Sequence, residues 1–431
     1  MKIIVKEKND SLIEFNVSML WKDIEEDYDN ELNKVLLNVK EKGARKGKLK
    51  GIQRELFIKN NKSYIDSQFV DYAMNTYYRE ALKEKQLNPL NQGKVTTLDF
   101  DGKKTDFNFI IEFEIKPKLD KKIPNYKKKV TIKSNHYIAT KKDVERSMND
   151  FRTQHSKMKT LEDNEKLKSG HFIHADFTKL DDDNKPIDGS TLPNHHIKIG
   201  EGLFAGDLEK PFLNKKVGDI INIVVNQENS DAKYSVKINK IEEQTLPKVD
   251  NEFVKQIDKE LKTVTQLEEK LQKNIQLNLD NENKKEFQNK IVEYFLEKTQ
   301  CVLPQSMIDN YRSYLVEDHK SKNPDSFDEG KMSKELDDMS NKNIKWLLIR
   351  EHLFESEQIS MKPDEVAKKI EDMIKESPTY KKDIKKFYGD DKNRNKLRED
   401  LLNSKLFNNL EKYFVNKAKE VPTDKIKNIK R

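Results

Sequence analysis

The chain reads FNFIIEFEI at residues 107–115, with Phe or Ile at every second position. This alternation predicts a β-strand with one buried face. The run Val95–Phe100 precedes it, and Asp101-Gly102 lies between the two runs. An Asp-Gly pair between two alternating runs is typical of a β-hairpin.

The first hundred residues carry a further strand pattern and two helix patterns. Ile13, Phe15 and Val17 alternate with polar residues, which predicts a strand. Helix-like spacings of three and four follow, with apolar positions Trp21, Ile24, Tyr28, Leu32, Val35 and Val39. A second helix is predicted over Tyr64–Lys85, with an inward face of Ile65, Phe69, Ala73 and Tyr77. Residues 1–116 therefore predict a small α+β domain.

The rest of the chain divides by composition. Residues 117–150 begin with Pro117 and Pro124 among many lysines, which predicts an extended connector, followed by a short helix from Lys141. Six of the 13 glycines lie between Gly170 and Gly218, so residues 151–246 predict a turn-rich β domain. The predicted strands are 171–179, 196–199, 219–225 and 233–241. Residues 247–431 are poor in glycine and show helical periodicity, including a capping box at Thr265 and Glu268. Further helices are predicted to start near Pro304, Lys331, Pro363 and Asp391.

Composition excludes several classes of protein. Only 34% of the 431 residues are hydrophobic, which favours several thin, elongated modules over one large core. No run approaches 18 apolar residues, so no membrane span is expected, and no secretory signal is recognised. The single cysteine, Cys301, excludes a disulfide scaffold and indicates a reducing, cytoplasmic location. The net charge of +7 is small beside 83 basic and 76 acidic residues, and is no nucleic-acid signature by itself.

The most concentrated group of cations lies in the stretch from Lys40 to Gly51. Glycines 43, 47 and 51 let the backbone bend, and a predicted helix ends just before them. One interpretation is a docking loop for an anionic surface such as RNA phosphate. The other is a solvated loop in a lysine-rich protein, and composition alone favours that one.

The same stretch resembles the ribosome-docking signature of the trigger factor family, Gly-Phe-Arg-x-Gly-Lys-x-Pro. This chain has Ala44 in place of Phe and Lys50 in place of Pro. Ile123-Pro-Asn-Tyr126 resembles the family's linker, and Leu246–Phe253 resembles the start of its helical domain. The resemblance covers essentially the whole chain. It implies that the ribosome is contacted by Gly43, Arg45, Lys46, Gly47, Lys48 and Lys50.

The β block is similar to an FKBP-type prolyl isomerase module. The resemblance rests on Asp176-Phe177-Thr178, Asp188-Gly189, Ile199–Gly202, Val217-Gly218-Asp219 and Tyr234–Ile241. It implies an apolar cradle of Phe177, Phe204, Leu208 and Tyr234. Leu208 replaces the aromatic floor, and Asn226–Lys233 is short for the usual flap. We therefore expect isomerase activity to be weak or lost.

No metal or cofactor site is expected. His171 and His174 alternate on one predicted strand and so face opposite ways, and His195 and His196 are adjacent with the same difficulty. No Gly-x-x-x-x-Gly-Lys-Ser/Thr loop is present, so ATP use is not indicated.

The helical region offers the remaining functional surface. Its narrow apolar stripes and the methionines 332, 339, 361 and 373 fit either an adaptable client-binding surface or plain interhelix core. By resemblance it is a chaperone body with arms.

Taken together, the resemblance implies an ATP-independent chaperone. It would dock on protein and rRNA of the large ribosomal subunit near the exit tunnel and bind nascent or unfolded polypeptides. No membrane partner is expected, and weak homodimer formation stays open. Two alternatives remain: a prolyl isomerase whose other domains deliver substrate, and an RNA- or ribosome-binding factor without chaperone activity.

Overall fold

The computed structural model describes residues 1–39, 47, 49–181, 183–227, 230–322, 324 and 327–425. The chain forms two compact units. The first contains Met1–Ser134 and Glu286–Lys417, and the second contains Asn135–Lys285 and the segment from Ala418 on. Helices and strands both contribute substantially, so the predicted α+β, multidomain class is confirmed.

The first unit opens with a four-stranded antiparallel sheet of order β1-β2-β4-β3. Its strands are β1 (Lys2–Glu7), β2 (Leu12–Met19), β3 (Lys94–Asp99) and β4 (Phe107–Glu114). The alternation predicted for β2 and β4 is confirmed, since every second side chain is buried on both strands. The predicted hairpin is the β3–β4 pair. Strand β1 was not predicted, because its largely exposed KIIVKE sequence has no clear alternation.

Three helices accompany this sheet. They are α1 (Trp21–Asn38), α2 (Gly51–Asn60) and α3 (Lys62–Lys85). All four inward positions predicted for the α3 region are buried, and Phe69 is fully enclosed. Phe69 stands edge-on to Tyr28 of α1 and to Phe107 of β4, with ring centroids 5.2 and 5.8 Å away. Helix and sheet therefore share one aromatic core.

The connector leads from the first unit into the second. It contains β5 (Val130–Ile132) and β6 (Asn135–Ile138), and then α4 (Lys141–Gln154). The predicted helix from Lys141 is confirmed. Thr140 caps it, because its backbone N–H and its hydroxyl both donate to Asp143 Oδ2, at 2.9 and 2.8 Å.

The second unit contains a five-stranded antiparallel sheet. Its strands are β7 (Lys157–Thr160), β8 (Phe172–Leu180), β9 (Pro186–Lys198), β10 (Ile220–Gln227) and β11 (Ser230–Thr245). The order is β10-β11-β8-β9, and β7 pairs with β11. Strand β9 begins ten residues before the predicted 196–199 segment. The reason is that it is exposed along most of its length and carries no apolar alternation.

The remaining helices follow in sequence, and helix starts were predicted near Pro304, Lys331, Pro363 and Asp391. The helices are α5 (Asn251–Ile257), α6 (Val264–Lys298), α7 (Gln305–Lys322), α8 (Glu329–Ser356), α9 (Pro363–Glu376), α10 (Lys381–Phe387) and α11 (Asp391–Leu410). The four starts are confirmed within two residues. The short strands β12 (Phe414–Asn416) and β13 (Lys419–Pro422) then pair in parallel with β5 and β6.

The predicted capping box of α6 is wrong by two residues. Helix α6 begins at Val264, so Thr265 lies inside its first turn. Instead, Gln266 N–H donates to Thr263 Oγ1 while Gln266 Oε1 accepts from Thr263 N–H, both at 3.3 Å. The sequence carries two overlapping Thr-x-x-Glu/Gln patterns, and the structure uses the earlier one.

Candidate functional site

The basic loop joins α1 to α2. Gly43, Arg45, Lys46 and Lys48 lie outside the described residues, whereas Gly47 and Lys50 are described. Gly47 N–H donates to the Val39 carbonyl at 3.1 Å, so the two ends of the loop are held together.

Glycine is required at position 47 for two reasons. Its φ is +73°, a conformation that residues with a side chain adopt reluctantly. A Cβ there would also lie 2.7 Å from the Leu37 carbonyl oxygen, which is backbone and cannot move away cheaply. The backbone of position 47 can therefore lie this close to α1 only with glycine there.

Helix α2, which follows the loop, presents apolar side chains to solvent. It buries none of its residues, and Ile52 and Leu56 are 74% and 53% exposed. Leu37 of α1 is 62% exposed, and Lys50 is exposed as well. The sequence analysis did not identify this surface. The available signal was the spacing of four between Ile52 and Leu56, which places both side chains on one face of the helix.

The four cradle residues meet on one side of the second unit's sheet. Phe177 on β8 is buried, and Phe204, Leu208 and Tyr234 are partly buried against the same hydrophobic cluster. The Phe177 and Phe204 ring centroids are 5.9 Å apart.

Two further aromatic rings lie beside these four residues, and the sequence analysis did not assign either to the cradle. Phe212 is fully buried, with its ring centroid 5.8 Å from that of Phe204. His195 on β9 stands edge-on to Phe177 at 6.0 Å. Phe212 lies in a short 3₁₀ turn, as Phe204 and Leu208 do, so no strand or helix periodicity marked it in the sequence.

The cradle is apolar, and the nearby acid lies on the other face of the sheet. Asp176 is next to Phe177 in the strand, and therefore points to the opposite side. Its carboxylate accepts from Asn194 N–H at 2.8 Å, and that bond, with a second one from Asn239, holds the pKa of Asp176 below its usual value. An apolar surface of this kind can desolvate an X–Pro amide, a chemistry that needs no nucleophile.

The hairpin beside the cradle is tight. Strands β10 and β11 pair up to Gln227 and Ser230, which leaves a two-residue connection, 228 and 229, outside the described residues. A two-residue connection is too short to carry a flap over the cradle.

The helical part of the first unit contains one region without a core of its own. Helices α9 and α10 bury none of their described side chains. Their apolar residues are half-buried at Val366, Ile370, Met373, Ile374 and Ile384. Phe387 at the end of α10 is 56% exposed, and Tyr380, which directly precedes α10, is 63% exposed. None of these side chains belongs to a hydrophobic cluster of the described chain. This thinly covered surface is called the α9–α10 face below.

Polar contacts hold the start of α9 in place. Lys405 of α11 donates to the Ser360 carbonyl at 3.0 Å and pairs with Glu365 at 2.5 Å. The hydrogen bond from Lys405 lowers the pKa of Glu365, which keeps that carboxylate charged at neutral pH. The α9–α10 face can therefore stay accessible without α9 coming loose.

The α7–α8 pair differs, because it has a small core. Leu315, Val316 and Leu336 are buried, and Met332 and Met339 pack against them. Arg312 of α7 bonds to Asp337 and Glu329 of α8, at 2.7 and 2.9 Å. Of the four methionines singled out in the sequence, Met332 and Met339 contribute to that packing, whereas Met373 lies on the α9–α10 face.

Comparisons with known proteins agree along the chain. The family model "Bacterial trigger factor protein (TF)" matches residues 1–151, and its C-terminal counterpart matches residues 263–411. A trigger factor of Halothermothrix orenii is 23% identical over 90% of this chain and 93% of its own. The trigger factor of Clostridium tetani is 21% identical over 98% of this chain and 100% of its own. The trigger factor of Desulforamulus reducens is 28% identical over 70% of this chain and 69% of its own.

A solved structure supports the fold. It is that of a trigger factor chaperone described for promiscuous substrate recognition in folding and assembly. It covers 96% of this chain and 99% of its own with a TM-score of 0.61, at 19% identity.

Fold and matches define a multidomain folding chaperone. The chain belongs to the trigger factor family of ribosome-associated chaperones, which bind the ribosome and nascent polypeptides. Within the described residues, no helix is long and apolar enough to cross a lipid bilayer.

Proposed function

We propose that the chain docks on the large ribosomal subunit near the exit tunnel and shields emerging polypeptides without using ATP. The observation that carries the docking role is the hydrogen bond from Gly47 N–H to the Val39 carbonyl, 3.1 Å long. Val39 and Gly47 flank residues 40–46, which in the sequence carry much of the docking signature. Arg45, Lys46, Lys48 and Lys50 are the residues assigned to rRNA and ribosomal protein.

The exposed apolar side chains of α2 complement these cations. The family signature has Phe where this chain has Ala44, so one apolar contact is missing from the loop. Ile52 and Leu56 lie just beyond the loop and are more than half exposed. In this proposal they supply the apolar part of the ribosome contact. Each Å² of apolar surface buried there would contribute roughly 25 cal/mol of favourable binding free energy.

Client binding is assigned to the α9–α10 face. Nascent chains expose short apolar segments, and a half-covered apolar surface rimmed by lysines and acids can bury them reversibly. Because each contact is small, release needs no nucleotide. Met373 adds a flexible side chain that adapts to different client shapes.

The cradle in the second unit is assigned a weak or lost prolyl isomerase activity. Leu208 stands where an aromatic floor is expected, and the β10–β11 connection is too short for a flap. Substantial turnover of a proline peptide that falls on Phe177→Ala would instead favour an isomerase with substrate-delivery domains.

The functional division that we propose is docking by 1–116, connection by 117–150, an isomerase-like module at 151–246 and client binding within 247–431. A cytoplasmic location and a weak homodimer away from the ribosome complete the proposal. The exposed Ile52 and Leu56 would contact the ribosome in the docked state, and a second copy of the chain in the free dimer.

Charge reversal tests the docking assignment. We expect Arg45→Glu with Lys46→Glu to reduce cosedimentation with ribosomes by more than about tenfold, because two attractive phosphate contacts become repulsive. Suppression of aggregation of a denatured client should be unchanged.

The matched control is Lys2→Glu with Lys22→Glu, which changes the net charge equally at two exposed positions of the same domain. It should leave cosedimentation within about twofold of wild type. Equal cosedimentation of wild type and the Arg45/Lys46 variant would refute the docking role. Loss of cosedimentation in a protein that never suppresses aggregation would favour a ribosome-binding factor without chaperone activity.

A further inference from the structure

Two histidines and a glutamate meet on the sheet face opposite the cradle. His174 of β8 lies directly across from His196 of β9 in the antiparallel register. Their rings stack with centroids 4.4 Å apart. Glu242 of β11 approaches both rings from the other neighbouring strand. Sequence reasoning considered histidines along one strand only, and therefore missed a pair that cross-strand pairing creates.

A β-bulge brings Glu242 to this face. The register between β8 and β11 shifts between Ile238 and Lys240. Before the shift Val236 and Ile238 point into the core, and after it Ile241 does. Without the extra residue, strand alternation would turn Glu242 inward. Bulges often re-aim a side chain beside a functional site.

The three ligand atoms have the spacing that a single small cation requires. His174 Nε2 lies 3.1 Å from Glu242 Oε2, and His196 Nε2 lies 3.6 Å from the same oxygen. One ligand atom from each residue falls within 4.8 Å of the other two. Zinc holds nitrogen and oxygen ligands at about 2.0–2.2 Å in a tetrahedron, so its ligand atoms lie roughly 3.3–3.6 Å apart.

Neighbouring side chains fix the orientation of these ligands. Lys240 pairs with Glu242 Oε1 at 2.5 Å and leaves Oε2 to face the histidines. Phe172 stacks on the His196 ring, with centroids 5.2 Å apart, and limits its rotation. Glu242 is buried while His196 is 45% exposed, so an ion could enter from solvent and keep a water ligand.

We propose that His174, His196 and Glu242 form a binding site for one zinc ion. Two imidazoles and one carboxylate suit zinc, whereas Mg²⁺ and Ca²⁺ prefer oxygen ligands alone. The site joins three neighbouring strands of the sheet, so bound zinc stabilises the module. None of its three ligands is a residue assigned above to ribosome docking or to client binding.

Zinc titration of the full chain tests the proposal. The protein is stripped with a chelator, dialysed, and titrated with ZnSO₄ in competition with a chromophoric zinc indicator. We expect one zinc per chain at this site. His196→Ala and Glu242→Gln should each weaken its affinity at least tenfold, and Mg²⁺ should not compete.

His195→Ala is the matched control, because this histidine is adjacent in sequence but faces the cradle. It should leave zinc affinity within about twofold of wild type. The midpoint temperature of thermal unfolding should rise on adding zinc in wild type and in His195→Ala, but not in His196→Ala, when each protein is compared with itself in EDTA. The proposal is overturned if wild type takes up no stoichiometric zinc, or if His195→Ala and His196→Ala weaken binding equally.

Discussion

Helices α3 and α9 both belong to the first unit, yet they differ completely in burial. Helix α3 buries Ile65, Phe69, Ala73, Tyr77 and Ala81. Helix α9 separates its apolar and polar sides more sharply than α3 does, but none of its described side chains is buried. Amphipathicity therefore predicts that a helix has an apolar face, but not that the protein itself covers that face. In a chaperone, a face left partly open is available to clients.

The largest expected effect is on α3. Phe69→Ala should lower the free energy of unfolding of the N-terminal domain by about 3–5 kcal/mol, because it leaves a cavity among Tyr28, Phe100 and Phe107. Urea unfolding followed by hydrogen exchange of the α3 amides measures this. Truncation to alanine on α9, Ile370→Ala, should cost less than about 1 kcal/mol. Similar costs at the two positions would remove the contrast between the helices.

A smaller loss of stability is expected at α4, where Asp143 accepts hydrogen bonds from two threonines. Burial alone would raise the pKa of Asp143, but hydrogen bonds from Thr423 and Thr140 outweigh it and hold the pKa below its usual value. Asp143→Ala should therefore cost about 1–2 kcal/mol at pH 7.

The pH dependence follows from the lowered pKa. A carboxylate with a lowered folded-state pKa contributes its stabilisation above its unfolded pKa of about 3.9, and loses it as pH falls through the folded value. The difference between wild type and Asp143→Ala should thus shrink when urea midpoints are compared from pH 5 down to pH 2. A constant difference over that range would show that the Asp143 charge is not involved.

Local patterns predicted much of the fold. The alternation in β2 and β4 and the inward positions of α3 follow from the sequence, because each is set by neighbours along the chain. The long edge strand β9 was underestimated, since an exposed strand needs no apolar alternation. The cap of α6 was misplaced, because the choice between two overlapping motifs depends on where the preceding turn ends.

The candidate sites were less predictable. Phe177 and Tyr234 could be named, but the adjacent rings of His195 and Phe212 depend on how strands and 3₁₀ turns meet. His174, His196 and Glu242 come together only through cross-strand register and a bulge, and neither is visible as a local pattern. Half-exposure of the α9–α10 face is likewise a property of tertiary packing.

The most direct test of the central claim is client holding by an α9 variant. Ile370→Ser with Ile374→Ser removes apolar surface from the α9–α10 face, and Lys368→Ser with Glu371→Ser is a charge-neutral control on its exposed side. Light scattering of a denatured client measures the protein needed to suppress aggregation. We expect the first variant to need about three- to tenfold more protein than wild type, with ribosome cosedimentation unchanged, and the control to match wild type. Equal suppression by the Ile370/Ile374 variant and wild type, or an equal loss in the control, would contradict the account.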